Sequence, residues 1–551
     1  MHTIERQLQQ CLNKLQVWSD ENGFKFSKSK TVCMHFCQKR KHHDDPDLTL
    51  DGNKIPVVQQ TKFLGLIFDS KLSFIPHIKY LKDKCSKALN ILRVLSHTDW
   101  GADREMLLRL YRSLVRSKLD YGSIVYGSAR KSYLQMLDPI HNQGLRLALG
   151  AFRTTPVKSL YVEANEPSLN DRRKKLALQF AAQLKANPKN PAFDPVFNPK
   201  YQNIFMQKQN LIPTFGIRIS DFLQDLGIHL TNIAEYNIPD VPPWTMQTPD
   251  VNFSLHEREK SIAMPEEHKA SFRECISKFP SRTQIYTDGS KDGKKVAAAA
   301  CSDQFCTSIR LPDGASIFSA EACGIGLALD NIEEHRIKKA IICSDSLSVL
   351  QSLQLRDPKN TLIQNLLLRI SSISNQCKIT LLWIPSHVGI RGNENADKAA
   401  KNALNLQQTN IKLPYTDFKH IIRSAIQTDW QQRWSLETSN KLFQVQPKLG
   451  TRLPCRRDRR EEVVLSRLRT GHTYLTHSYI LKRDDPPVCY ACDAPFTVQH
   501  LMIDCSDYIH IRDRYFEVPD VKTLLASVAL EKIFSYLQDA GLFFIKSRMS
   551  R

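Results

Sequence analysis

The sequence lacks any long apolar segment. No stretch of the chain approaches the roughly 18–20 consecutive apolar residues that a membrane-spanning helix needs. Its start, MHTIERQLQQCLNKLQVW, also lacks the apolar core and the small-residue cleavage site of a signal peptide. The apolar residues there recur at helical spacing instead. We therefore expect an intracellular protein, nuclear or cytoplasmic, with no membrane partner.

Acidic residues are too few to balance the basic ones. The 551 residues include 77 Lys and Arg against 56 Asp and Glu, which gives a net charge of +21. One explanation is a folded protein that is merely basic. The other is a polyanionic partner, because Lys and Arg neutralise phosphates and release counterions. No basic amphipathic anchor is evident, so the charge favours nucleic acid over a membrane surface.

No internal repeat is visible, and the length suffices for three or four domains. Residues 1–165 combine helical patterns with a predicted hairpin between 48 and 68. Residues 166–280 are rich in Pro and Asn, which is typical of a connection. Strand and helix patterns alternate over 281–410, which predicts a mixed sheet with helices packed against it. Residues 411–551 are helical and basic and contain clustered cysteines. The whole is an α/β multidomain chain.

Four acids in the third segment occupy positions that suggest a common site. Asp288 ends the first predicted strand, Glu321 lies early in the next helix, Asp345 ends the strand AIICSD, and Asp397 lies in the last helix. Functional groups gather at the carboxyl ends of strands in such sheets. Four neighbouring carboxylates stay ionised only with cations, and paired divalent ions suit phosphodiester cleavage. The alternative is that the aspartates are turns or caps and the others solvated helix residues.

The residues around these acids carry a resemblance. The segments YTDGS, SAEACGI, CSDSLSVL and WIPSHVGIRGNENADKAA resemble, in order, the motifs of the type 1 ribonuclease H family. The resemblance implies a mixed five-stranded sheet with flanking helices and hydrolysis of the RNA strand of an RNA–DNA hybrid. It also implies two Mg²⁺ ions held by the acids at 288, 321, 345 and 397. His387, which alone would be read as a solvated loop residue, matches the family's mobile histidine.

The first segment resembles another part of the same kind of polyprotein. GFKFSKSKT and KFLGLIFDSKLSF are similar to the last palm motifs of reverse transcriptases from non-LTR (LINE-like) retrotransposons. KLDYGSIVYGSA and GAFRTTP are similar to the thumb that follows. The resemblance implies that the catalytic palm strands would precede Met1, in a truncated protein. The aspartate pairs 44–45 and 484–485 have basic and proline neighbours, typical of exposed turns, so we expect no polymerase activity.

Clustered cysteines distinguish the last segment. CYACDAPFTVQHLMIDC places Cys489, Cys492, His500 and Cys505 at the spacing C-x2-C-x7-H-x4-C. Three thiolates with one imidazole suit Zn²⁺, and a complete set of four ligands predicts a structural site. The alternative is a chance cluster of buried cysteines beside a surface histidine.

Arginines precede this cluster. They are either a solvated charged face or, together with nearby Tyr and His, a contact for nucleic acid. The sequence favours the second interpretation. The arginines concerned are Arg452, Arg456, Arg457, Arg459, Arg460, Arg467 and Arg469.

Together these features predict a reverse-transcriptase palm/thumb remnant, a ribonuclease H domain and a small helical zinc-binding tail, with an RNA–DNA hybrid as partner. The alternative is a catalytically inactive nucleic-acid-binding remnant.

Overall fold

The computed structural model describes residues 2–37, 44–200, 202–207, 212–236, 248–256, 264–355, 358–450 and 458–543. The chain forms two compact units that are discontinuous in sequence. The first comprises residues 1–176, 203–214 and 427–551, and the second comprises 177–202 and 215–426. The second unit contains the whole predicted ribonuclease H segment. The division into four consecutive domains remains a prediction.

A mixed sheet forms the centre of the second unit. Its strands are β1 (Asp250–Asn252), β2 (Thr283–Asp292), β3 (Lys295–Cys301), β4 (Cys306–Leu311), β5 (Lys339–Ser344) and β6 (Lys378–Trp383). The order is β1-β6-β5-β2-β3-β4. The β1/β6, β6/β5 and β5/β2 pairs are parallel, and β2/β3 and β3/β4 are antiparallel.

The prediction of five strands is wrong by one strand. The additional strand, β1, extends the sheet beyond β6 and comes from the segment predicted as a connection. This strand of three residues, Asp-Val-Asn, is too short and too polar to show the alternation of apolar and polar residues that predicts a strand. The Asp250 side chain helps to fix it, because its Oδ2 accepts a hydrogen bond from Thr380 Oγ1 on β6 at 2.7 Å.

Helices cover this sheet. Those that position the site are α1 (Ile317–Glu334), α2 (Leu347–Leu353), α3 (Thr361–Ile373) and α4 (Arg391–Ala403). The apolar strands β5 and β6 are buried, and β3 packs closely because four consecutive alanines, 297–300, are fully buried. The core of the unit therefore lies between the sheet and its helices.

The predicted connection contains more regular structure than its Pro and Asn content indicates. Its helices are Leu169–Lys185, Phe193–Phe197, Gln202–Gln207, Phe215–Leu226 and Pro265–Ser277. Leu178 and Ala181, on the first of these helices, are fully buried in the core of the second unit. Part of this segment is thus a structural component of that core.

The first unit is mostly helical. Among its described residues, the strands form two hairpins, Thr49–Leu50 with Asn53–Lys54 and Gln60–Phe63 with Leu66–Asp69. Three helices, Leu169–Lys185, Gln202–Gln207 and Tyr415–Ser435, contain residues of both units. Its other α-helices are His2–Glu21, Ile75–Leu95, Arg104–Tyr111, Ser117–Asp120, Ser123–Tyr126, Lys131–Leu134, Asp138–Leu149, Val157–Ala164, Lys441–Val445, Arg459–Thr470, Tyr474–Lys482, Ile509–Arg512, Val521–Ser527 and Leu530–Asp539.

Three of the predicted nucleic-acid-binding arginines serve this unit internally. Arg459 is only 3% exposed, and it donates to the carbonyl oxygens of Ala148 and Leu147 at 2.9 Å each. Arg467 Nε donates to Gly150 O at 3.0 Å. These carbonyls end the helix Asp138–Leu149, where a cation is favourable.

The third of these arginines, Arg469, is buried and pairs with the buried Glu163 at 3.1 Å. The interpretation of Arg459 and Arg469 as nucleic-acid contacts is therefore wrong, because both are buried, and that of the half-buried Arg467 stays a prediction. Arg460 is exposed and pairs with Asp99. Arg452, Arg456 and Arg457 lie outside the described residues.

Candidate active site and metal centre

Two of the four predicted acids are neighbours because β2 and β5 pair in parallel. The last register pair joins Thr287 to Ser344, and Asp288 and Asp345 directly follow. The prediction that Asp288 ends the strand is wrong. Strand β2 continues to Asp292 and pairs with β3 up to the tight turn. The parallel pairing nevertheless brings both carboxylates to one edge of the sheet.

Helix α1 brings Glu321 to the same edge. Its N-terminus is fixed by Asp417, whose carboxylate accepts from Ser316 N at 3.0 Å and from Ser316 Oγ at 2.8 Å. The helix approaches β2 closely at Gly289, where a Cβ atom would lie 2.9 Å from both Ala320 Cβ and Glu321 N. Glycine at 289 is therefore required for the close approach of α1 to β2.

Asp288, Glu321 and Asp345 form a cluster that can hold a cation. Each offers one carboxylate oxygen, and these atoms lie within 4.8 Å of one another. Asp288 and Glu321 are 7% and 8% exposed, and Glu321 Oε2 is buried without a hydrogen-bond partner. Hard divalent cations take carboxylate oxygens as ligands. The three side chains therefore fit Mg²⁺.

The electrostatics of the cluster follow from burial and like charge. Burial, followed by the charges of Asp345 and Asp397, raises the pKa of Asp288 to about 7. Burial, followed by the charges of Asp345 and Asp288, raises the pKa of Glu321 to about 9. Without a cation, full ionisation of the cluster is unfavourable.

The stability of the Mg²⁺-free protein should consequently fall as pH rises. A carboxyl group whose pKa is raised in the folded state stabilises the fold below its ordinary pKa, and this contribution is lost as pH rises through the raised value. Between pH 5.5 and 8.5 the loss should be on the order of 6 kcal/mol, because both raised pKa values lie in or just above this window. Thermal unfolding of the full chain, dialysed free of Mg²⁺, measures it.

Two further measurements, one with added Mg²⁺ and one with a variant, identify the cause of this pH dependence. Millimolar Mg²⁺ should raise the unfolding temperature more at pH 8.5 than at pH 5.5, because cation binding favours the ionised cluster. Glu321→Gln should reduce the slope of stability against pH. Equal slopes for this variant and the unaltered chain would contradict the explanation.

Asp397 lies beside the cluster, but it is not one of the three acids whose carboxylate oxygens lie within 4.8 Å of one another. Helix α4 reaches β2 at Gly392, where any side chain would collide with the ring of Tyr286. Asp397 Oδ2 accepts a hydrogen bond from Lys401 Nζ at 2.7 Å. Its charge still reaches the cluster, since it raises the pKa of Asp288. The structure thus brings three predicted acids together and places the fourth alongside.

His387 lies in the turn between β6 and α4. It is exposed and has a positive φ of 56°, an uncommon backbone conformation for a non-glycine residue. Its predicted role as the mobile histidine stays a prediction.

Sequence reasoning missed two residues that contact Asp345. Asn393, which is buried, donates from Nδ2 to Asp345 Oδ2 at 3.4 Å, and Trp383 Nε1 donates to the Asp345 carbonyl oxygen at 3.2 Å. Both belong to the segment WIPSHVGIRGNENADKAA that carries the resemblance. Their position within that motif was the available signal.

A second ligand set lies in the first unit. Ligand atoms of Cys489, Cys492, His500 and Cys505 lie within 4.8 Å of one another. The sulfur of Cys505 is 3.8 Å from that of Cys489 and 3.9 Å from that of Cys492. Tetrahedral Zn²⁺ with bonds of about 2.3 Å requires sulfur atoms about 3.8 Å apart. His500 Nε2 is buried without a hydrogen-bond partner, so the four residues fit Zn²⁺.

Neither aspartate pair resembles a buried polymerase site. Asp44, Asp45, Asp484 and Asp485 are exposed and lie outside the strands. The predicted exposure is confirmed, but both pairs lie in irregular segments and not in turns.

No helix among the described residues combines the length and the apolar character required to span a membrane.

The class of the second unit is established by comparison with known families. Residues 280–405 match the family model of RNase H, a range that includes the whole acid cluster. The chain therefore carries an RNase H domain. A solved structure, the RNase H1 of the halophilic archaeon Halobacterium salinarum, covers 23% of this chain and 98% of its own at 19% identity, with a TM-score of 0.19.

Three curated relatives are polyproteins or polymerases of mobile elements. A Pol polyprotein of the type-1 retrotransposable element R1 from Bradysia coprophila is 27% identical over 128 residues. The polymerase of mobile element jockey from Drosophila melanogaster is 24% identical over 189 residues, and an R1 polyprotein from Nasonia vitripennis is 24% identical over 173.

These matches cover 23%, 34% and 29% of this chain. They span 13%, 20% and 49% of the relatives' own length, which is less than half in each case. The chain is thus related to polyproteins of non-LTR retrotransposons and carries an RNase H domain.

Proposed function

We propose that the second unit hydrolyses the RNA strand of RNA–DNA hybrids. The observation that carries this proposal is the buried cluster of Asp288, Glu321 and Asp345 at one edge of the sheet, with a carboxylate oxygen of Glu321 left without a partner. Buried acids this close are unfavourable without a cation, so their presence within an RNase H domain supports a phosphodiester-cleaving site.

The acid cluster would hold Mg²⁺, with Asp397 contributing at its margin. We propose two ions, because the four negative charges of the carboxylates exceed the two positive charges of a single Mg²⁺ ion. When bound, Mg²⁺ supplies positive charge that stabilises the negative charge developing on the scissile phosphate. Asn393 and Trp383 hold Asp345 in position through its carboxylate and its carbonyl.

His387 has the exposure that proton transfer to or from substrate requires. An imidazole can act as a general acid or base, and the exposed turn that carries His387 would allow it to approach the leaving oxygen. Selection of RNA over DNA would come from contacts to the 2′-hydroxyl across the minor groove of the hybrid.

The four ligands of the first unit would hold a structural Zn²⁺. Further nucleic-acid contact by the tail is proposed only through basic residues other than Arg459 and Arg469, because these two are buried and bind within the unit. Polymerase activity is not proposed.

A cleavage assay with labelled substrates tests the proposed function. We expect the full chain to cleave the RNA strand of an RNA–DNA hybrid with Mg²⁺ present, and not without it. Double-stranded DNA of the same sequence should remain intact. Hybrid binding without cleavage would overturn the proposal in favour of the inactive nucleic-acid-binding protein.

A further inference from the structure

Lys401 occupies the margin of the acid cluster. It lies one helical turn after Asp397 on α4, and its Nζ donates to Asp397 Oδ2 at 2.7 Å. The Asp397 side chain is 19% exposed and the Lys401 side chain is 58% exposed. The contact therefore lies where the cluster opens to solvent. Exposed pairs of this kind contribute little to stability, so stability alone does not explain the contact.

The charge of Lys401 also acts beyond its direct partner. It lowers the pKa of Asp288, opposing the rise caused by burial and by the other acids. In return Asp397 and Asp288 both raise the pKa of Lys401, Asp397 through a hydrogen bond and its charge. One ammonium group thus compensates part of the negative charge of two site acids.

We propose that Lys401 is a built-in counter-cation of the active site that competes with a divalent cation for Asp397. This inference rests on the proposed function, since it requires the acids to bind Mg²⁺. The ammonium hydrogen-bonds to a carboxylate oxygen that a metal ion would use, and two cations repel each other at that distance. Cation binding at Asp397 therefore requires Lys401 to leave, which its flexible and exposed stem allows.

Lys401 is accordingly a positioning residue. It holds Asp397 at the side of the cluster until a cation replaces it, and it lowers the affinity of the site for that cation. Removing one positive charge several ångströms from a divalent ion should increase affinity on the order of tenfold.

Isothermal titration of Mg²⁺ into the full chain tests the inference. Lys401→Met removes the charge but keeps the aliphatic stem, and it should bind Mg²⁺ about tenfold more tightly than the unaltered chain. Lys401→Arg keeps the charge and should restore the original affinity. Lys398→Met is the matched control, because Lys398 is an exposed lysine on the same helix. It should change affinity by less than about twofold, as expected of a solvent-screened charge.

A fourth variant, Asp345→Asn, separates failure of this inference from failure of the proposed function. If Asp345→Asn binds Mg²⁺ as the unaltered chain does, the acids are not the binding site and both proposals are overturned. If Asp345→Asn loses binding while Lys401→Met matches the unaltered chain, only the role of Lys401 is overturned. Equal tightening by Lys401→Met and Lys398→Met would also overturn it, since general charge would then suffice.

Discussion

Asp345→Asn should lower the rate of hybrid cleavage by about 10³-fold while hybrid affinity changes by less than about twofold. A loss of about 4 kcal/mol of transition-state stabilisation corresponds to this factor, and cation charge at a phosphate supplies several kcal/mol. Hybrid affinity should persist because the phosphate backbone binds through basic residues spread over the surface. Single-turnover cleavage and fluorescence anisotropy of a labelled hybrid measure the two quantities.

The variant should fold, so loss of cleavage will report on the site. Asparagine has the same shape as aspartate, and the Trp383 hydrogen bond goes to the backbone carbonyl, which the substitution keeps. Removing one negative charge also relieves repulsion on Asp288 and Glu321, both of whose pKa values are raised by Asp345. The unfolding temperature of the Mg²⁺-free variant should therefore rise.

Asp303→Asn provides the matched control. Asp303 is exposed and lies between β3 and β4, outside the acid cluster. Its substitution by asparagine should leave cleavage within about twofold, as for other surface changes. Undiminished cleavage by Asp345→Asn, or equal losses in both variants, would contradict the assignment of Asp345.

The position of the acid cluster could be predicted from the sequence, because the apolar patterns that predict strands are local. The buried runs that became β2 and β5 predict strands, and their parallel pairing places Asp288 beside Asp345. The Gly-Ser-Lys after Asp288 has the composition of a turn but forms strand, since residues 296–298 on β3 pair with it. Gly289 is required for the approach of α1, a reason that local composition does not contain.

The long-range partners of the buried arginines could not be predicted from the sequence. Arg459 and Arg469 have the sequence neighbours of a basic surface, yet their partners Ala148 and Glu163 lie more than 300 residues earlier. The pairing depends on packing between distant segments of the first unit. The contact between Asp397 and Lys401 is local, but helical spacing alone does not distinguish an ordinary surface pair from one beside a buried acid cluster.

Loss of Zn²⁺ should unfold the segment around residues 488–505. Apparent binding free energies of structural zinc are about 10–16 kcal/mol in zinc-finger peptides, comparable to the stability of a whole domain. Cys505→Ser removes a fully buried sulfur that lies beside both other thiols. We expect about one zinc per chain in the unaltered protein, as a complete ligand set predicts, and far less in the variant. Mass spectrometry of the purified proteins measures the metal content.

The loss should spread from the ligands into the core of the tail. Val498 and Met502, which lie between the last two cysteine ligands in sequence, are buried against Ile533 and Leu537. The variant should therefore become sensitive to limited proteolysis in this region, and adding a chelator to the unaltered chain should do the same.

Cys11→Ser provides the matched control, because Cys11 is an exposed free thiol far from the ligand set in sequence. It should retain its zinc and its resistance to protease, since surface substitutions usually change stability by less than about 0.5 kcal/mol. A chance cluster of buried cysteines makes the opposite prediction for Cys505→Ser, because serine is nearly isosteric and no metal would be lost. Unchanged metal content and protease resistance in Cys505→Ser would thus favour the chance cluster over a structural zinc site.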